Sequence, residues 1–175
     1  MPCSDTMRPM GVVEGVTGMA RFAETFLGEL LPREDSAVVV GLSGELGSGK
    51  TTFVQRVARA LGVREHVTSP TFVILKTYNV KPTTYNLGFE KLVHVDAYRL
   101  ESAAELERLN WHEVLATPRA LVLVEWPERV CAVMPESVLR IDFHVVGEGM
   151  REVLVRTNIK EQVTSNQTST KFKTV

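Results

Sequence analysis

The sequence predicts an α/β protein with a mixed, mainly parallel sheet flanked by helices and closed by a C-terminal antiparallel hairpin. Three observations predict it. Short, apolar, β-branched runs alternate with stretches of helical spacing, as in layered α/β folds. A glycine-rich segment at 44–49 separates one such run from an amphipathic helix. Residues 138–146 and 153–157 alternate apolar with polar around Gly147-Glu148-Gly149, the pattern of a hairpin.

The elements follow in order. Residues 1–12 carry Pro2, Pro9 and Gly11 with little pattern and are expected to be a flexible N-terminal arm. Met19, Phe22, Ala23, Phe26, Leu27, Leu30 and Leu31 keep helical spacing, with Thr17 as the expected N-cap and Pro32 ending the run. Ala37–Leu42 is a continuous apolar run, which a strand buried on both faces requires. A second helix is expected from about Lys50, with Phe53, Val54, Val57, Ala58 and Leu61 on one face and Gly62 stopping it. Thr71–Tyr78 is read as a strand and 79–91 as a loop or long turn. Leu92–Asp96 and Ala120–Glu125 are further buried strands, and Ser102-Ala103-Ala104-Glu105 is a capping box opening a helix between them. The segment from Glu161 is rich in Thr, Ser, Gln and Lys and is expected to be disordered. The division expected is thus an arm at 1–12, one folded domain at 13–160 and a tail at 161–175.

Composition excludes several classes. The chain has 175 residues, 44% hydrophobic and 23% charged, which is incompatible with a wholly disordered, collagenous or long coiled-coil protein. A formal net charge of -1 provides no basic footprint for tight non-specific nucleic-acid binding. Two cysteines, Cys3 and Cys131, make no disulfide framework and suit a reducing compartment. The apolar runs are too short to cross a bilayer and the N-terminus lacks a signal-peptide pattern, so a cytoplasmic protein is expected. His66, His94, His112 and His144 show no metal-ligand spacing with the cysteines and are read as structural or surface residues.

Gly44-Glu45-Leu46-Gly47-Ser48-Gly49-Lys50-Thr51 matches G-x-x-x-x-G-K-[ST], a phosphate loop placed between a strand and a helix. This makes the expected architecture a P-loop NTPase fold. Glycines let the backbone wrap a phosphate and converge its N–H groups on it. The following helix offers the same anion its positive end. Lys50 would add a point charge between the β- and γ-phosphates, and the Thr51 hydroxyl can ligate Mg²⁺, with Thr52 one step further into the helix.

Two apolar strands end in an acid, Asp96 and Glu125. Ligands of open α/β sheets sit beyond the carboxyl ends of the strands, so both acids are expected to face the γ-phosphate. One would hold Mg²⁺ and the other would orient the attacking water, and the residues alone leave open which does which. Neither N-K-x-D nor a strand-borne D-x-x-G is present, which tilts the base toward adenine.

Four strings together resemble the TsaE (YjeE) family: Gly44–Phe53, Val67-Thr68-Ser69-Pro70-Thr71-Phe72, His94-Val95-Asp96-Ala97-Tyr98-Arg99-Leu100 and Leu123-Val124-Glu125-Trp126-Pro127-Glu128. The resemblance runs from about the first helix to the final hairpin. It implies an Mg²⁺-dependent ATPase of the tRNA threonylcarbamoyladenosine machinery, weak alone. Its partners would be TsaD- and TsaB-type proteins, of which TsaD makes the transfer, and tRNA would be met only through that complex. It further implies that Gly47, Ser48, Gly49, Lys50, Thr51 and Thr52 bind the phosphates, and that Thr51 and Glu125 contact Mg²⁺. Asp96 becomes the acid of the D-x-Y-R motif, Ser69-Pro70-Thr71 a switch-like loop, and Arg151 an arginine near the nucleotide. The chain departs from the family pattern at Glu45, where Asp is usual, at Phe72, where Tyr is commoner, and at Met150, which separates Gly149 from Arg151. Two other functions fit the residues. One is a P-loop small-molecule kinase, with Arg99 or Arg108 on a lid. The other is a nucleotide-stabilised binding module without turnover.

Overall fold

The computed structural model describes residues 6–70, 72–81 and 88–157. The expectations for Thr71 and for the tail at 161–175 lie outside the described residues. In chain order the elements are β1 (Thr6–Glu14), α1 (Gly15–Gly28), β2 (Val38–Ser43), α2 (Lys50–Ala60), β3 (Leu75–Asn79), β4 (Lys91–Asp96), α3 (Ala103–Glu107), α4 (Trp111–Leu115), β5 (Ala120–Glu125), a 3₁₀ segment (Pro127–Val133), β6 (Leu139–Gly147) and β7 (Met150–Thr157).

Seven strands form one sheet in the order β1-β7-β6-β2-β5-β4-β3. The four central strands run parallel, β7 and β3 flank them antiparallel, and β1 pairs antiparallel with β7 at the edge. The strand β2 lies between β5 and β6, with Val40 aligned to Leu123 on one side and Leu139 on the other. It is covered on both faces, which is why its run reads Val-Val-Val rather than alternating.

Each face of the sheet has its own core. On one, α1 and α2 pack Met19, Phe22, Phe26, Phe53 and Val57 against Leu42, Leu123, Ile141 and Phe143. The Phe53 ring is the hub, 5.2 Å from Phe22, 5.7 Å from Phe26 and 5.7 Å from Phe143 between centroids. On the other face Val39, Val93, Val95, Val122 and Val124 meet Leu106, Trp111 and Val130. The buried Trp111 indole donates to the Val133 carbonyl at 2.9 Å, so its polar atom is satisfied.

Three local readings are corrected, and two short elements are added. Residues 6–12 belong to β1 rather than to a loose arm; Pro9 and Gly11 mark a bulge in an edge strand, a position where proline is tolerated. Thr17 is not the N-cap of α1. The helix opens two residues earlier, where Gly15 takes φ +57° and its N–H donates to the Gly149 carbonyl at 2.8 Å, so the hairpin turn supplies the partner. The strand expected from Thr71 begins only at Leu75, because Val73 and Ile74 both donate to the Pro70 carbonyl in a turn. Short α4 and the 3₁₀ segment carry too few residues for a periodic signal.

The capping box does close. Glu105 Oε1 accepts the amides of Ser102 and Glu101, both at 2.9 Å. These amides hold the Glu105 carboxyl below its ordinary value of 4.5. A lowered folded-state value means stability that is complete above pH 4.5 and lost as pH falls through the lowered value. Glu105→Ala is therefore expected to lower the melting temperature at neutral pH, and the gap to the unsubstituted protein should close in acid. A gap of constant size across thermal melts from neutral to strongly acid pH would contradict the charged cap.

Candidate functional site

The glycine loop leaves the carboxyl end of β2 and enters α2 with three positive φ angles: Gly44 +142°, Gly47 +79° and Gly49 +105°. Space matters as well as conformation at the first of these. A Cβ on Gly44 would lie 2.5 Å from the Phe143 carbonyl of β6 and 2.7 Å from Ser48 Oγ. Lys50 opens α2 and is only 4% exposed. Its ammonium donates to the carbonyls of Gly44 at 2.6 Å and Glu45 at 2.9 Å and reaches Ser48 Oγ at 3.5 Å. The same Nζ stands 4.0 Å from the centre of the Trp126 ring. Burial lowers the Lys50 pKa, while the charges of Glu125, Glu128, Asp96 and Glu45 oppose that fall. A cation is thus held inside the curl of the loop among carboxylates.

The two acids meet there. Asp96 and Glu125 are register partners at the ends of β4 and β5, and both are nearly buried. The Thr51 hydroxyl lies 2.8 Å and 3.0 Å from the two Glu125 oxygens and donates to that carboxylate. Asp96 accepts from Ser69 Oγ through one oxygen and from the Tyr98 amide, at 3.0 Å, through the other. The segment before Pro70 is therefore tied to the end of β4.

Of the residues expected at the site, Gly47, Ser48, Gly49, Lys50, Thr51, Asp96, Glu125 and Arg151 come together around this mouth. Thr52 is half-buried in the first turn of α2. Arg151, despite the intervening Met150, reaches the loop from β7: Nε donates to the Ser48 carbonyl at 3.1 Å and an Nη to the Gly47 carbonyl at 3.2 Å. It grips the outer edge of the loop by its carbonyls. Trp126 adopts φ +61° and donates its N–H to the Leu42 carbonyl at 3.1 Å, which turns the ring toward Lys50 and Tyr98. The Arg99 guanidinium lies 4.5 Å from the centre of the Phe72 ring, which is largely exposed.

One residue of the site was missed. His94, read from the sequence as structural or surface, is fully buried with Nε2 2.8 Å from Glu125 Oε1. The available signal was its place two residues before Asp96 on an apolar strand, hence on the same face. Among the described residues no three His, Cys, Asp or Glu side chains gather as a metal cage. Mg²⁺ does not demand one: a hydroxyl beside a carboxylate suffices when water and phosphate complete its shell. The pair Thr51 and Glu125 offers that donor set, and the positive-φ glycines with Lys50 suit a phosphate. Among the described residues no helix is long and apolar enough to cross a membrane.

Gly44→Ala is expected to destabilise the fold by about 2 kcal/mol or more, because strained φ adds to a clash with backbone. Gly47→Ala meets nothing within 4 Å and should cost only about 1 kcal/mol, the conformational share. Equal losses for the two variants in urea unfolding would contradict the close approach of β6 to the loop.

Comparison with known proteins agrees with this geometry. The family model described as threonylcarbamoyl adenosine biosynthesis protein TsaE matches residues 15–153. The tRNA threonylcarbamoyladenosine biosynthesis protein TsaE of Treponema pallidum is 38% identical over 131 residues, 75% of this chain and 88% of that protein. The protein of the same description from Streptomyces coelicolor is 42% identical over 118 residues, 66% of this chain and 74% of its own. The crystal structure of Bacillus subtilis YdiB superposes with a TM-score of 0.68 at 25% identity, covering 88% of this chain and 87% of that one. A loop match, a fold match and a family match that runs from α1 into β7 lead to one conclusion: the chain belongs to the TsaE family.

Proposed function

We propose that this chain binds ATP with Mg²⁺ in the glycine loop and hydrolyses it as the ATPase component of tRNA threonylcarbamoyladenosine modification in the cytoplasm. It would act beside TsaD- and TsaB-type proteins, meet tRNA only through them, and not transfer the threonylcarbamoyl group itself. The observation that carries the reading is the Thr51 hydroxyl set on the Glu125 carboxylate at the mouth of the loop, beside the buried Lys50.

In this reading the backbone from Gly47 to Thr52 holds the phosphates and the start of α2 presents its positive end to them. Lys50, now donating to Gly44 and Glu45, exchanges a loop carbonyl for a phosphate oxygen. Thr51 and Glu125 hold Mg²⁺, which when bound supplies charge neutralisation at the phosphate oxygens. Asp96 orients the attacking water, and its bond from Ser69 links that task to the preceding loop. Arg151 keeps the loop curled by holding the carbonyls of Gly47 and Ser48.

Lys50→Ala is expected to weaken ATP binding tenfold or more, about 1.4 kcal/mol or above, and to abolish phosphate release stimulated by the partner proteins. Partner-stimulated turnover at the unsubstituted rate would refute the proposed function. Asp96→Asn should lose turnover by about a hundredfold while ATP affinity changes far less, since water is handled in the reacting state, and Glu125→Gln should lose turnover by a similar factor together with the Mg²⁺-dependent part of ATP affinity. Comparing kcat with a directly titrated Kd checks this, and a loss confined to Kd would remove both assignments.

A further inference from the structure

We propose that His94 is a positioning residue: its Nε2–H fixes the Glu125 carboxylate so that this oxygen pair and the Thr51 hydroxyl form one preset metal seat. The inference rests on the proposed function and deepens it. His94 is fully buried on β4, between Leu92 and Asp96 on the same strand face and opposite Leu123 of β5. Those leucines are also fully buried, so the imidazole stands in an apolar wall below the acids. Among the described residues its one polar contact is Nε2 to Glu125 Oε1 at 2.8 Å. Nδ1 is buried and has no hydrogen-bond partner among the described residues.

The orphaned nitrogen decides the tautomer. With the proton on Nδ1, a buried N–H would be stranded and the Nε2 lone pair would face the carboxylate. With the proton on Nε2, the donor meets an anion and only the Nδ1 lone pair is left unpaired. The imidazole therefore acts as a fixed donor. Glu125 Oε1 receives it from below while Thr51 approaches both oxygens from α2. Two fixed donors leave the carboxylate one rotamer, and a ligand held by such a partner need not be ordered when the metal arrives. A histidine that merely filled space would have no reason to aim its nitrogen at the acid.

The test uses the full-length chain, ATP titrated calorimetrically without metal and over a range of Mg²⁺, and thermal melts of each variant. His94→Leu is expected to raise the Mg²⁺ concentration needed for half-maximal enhancement of ATP binding about tenfold or more, and to leave metal-free affinity unchanged. His94→Gln keeps a side-chain N–H near the Nε2 position and should restore most of the loss. An unchanged Mg²⁺ requirement in His94→Leu would overturn the role, as would an equal loss in both variants, which would assign the effect to packing. Should the leucine variant fail to fold, nitrogen NMR of the unsubstituted protein decides: a proton on Nε2 and a bare Nδ1 support the role, and the reverse overturns it. Failure of the unsubstituted protein to bind ATP would defeat the proposed function as well, whereas normal binding with an unchanged leucine variant defeats His94 alone.

Discussion

The hydrogen bond from Thr51 to Glu125 joins the first turn of α2 to the last residue of β5, and the geometry of the site depends on it. Neither residue is free to choose its place. Thr51 is set by the loop that precedes it, whose backbone crosses into positive φ at three glycines. Glu125 is set by register, since β5 runs parallel to β2 and β4 and its final residue aligns with Leu42 on one side and Asp96 on the other. A slip of one residue would turn the acid to the opposite face of the sheet. The Thr51 hydroxyl and the carboxylate therefore report together whether loop, helix and sheet are in step.

Burial sharpens the electrostatics of this corner. Lys50, Asp96 and Glu125 are all nearly inaccessible, and a buried charge is tolerated when it has partners. Here the lysine has loop carbonyls, Glu125 has Thr51 and His94, and Asp96 has Ser69 and the Tyr98 amide. The polar groups form a connected patch at the strand ends while the apolar clusters on either face hold the strands in line. The phenylalanine group around Phe53 anchors α2 just below its first turn, so the apolar core and the glycine-loop site share one helix.

Much of this was legible in the chain. The glycine loop, the two strands ending in acid and the alternation of the final hairpin each depend on local spacing, and the sheet was anticipated from them. What was not legible depends on partners far away in sequence. Thr17 looked like a cap because a threonine before an apolar run usually is one; nothing local shows that Gly149 provides the carbonyl for Gly15. Residues 6–12 looked loose because an edge strand with a proline and a bulge loses its period. The expectation that Arg151 lies at the loop came only from likeness to a family, and its grip on loop carbonyls is visible only in three dimensions. His94 was passed over because a single buried histidine has no signature until its neighbour across the strand is known.

The bracing of the loop has a consequence for biosynthesis. Gly44 closes against Phe143, and the carbonyls of Gly47 and Ser48 are held by Arg151, 104 and 103 residues further on. A ribosome delivers the glycines first and their supports about a hundred residues later, at a pace slow beside the closing of a short turn. The emerging chain thus carries a complete nucleotide signature without the scaffold that shapes it. The braces are completed late, so a product truncated before Phe143 would lack them even though every residue of the motif had been made.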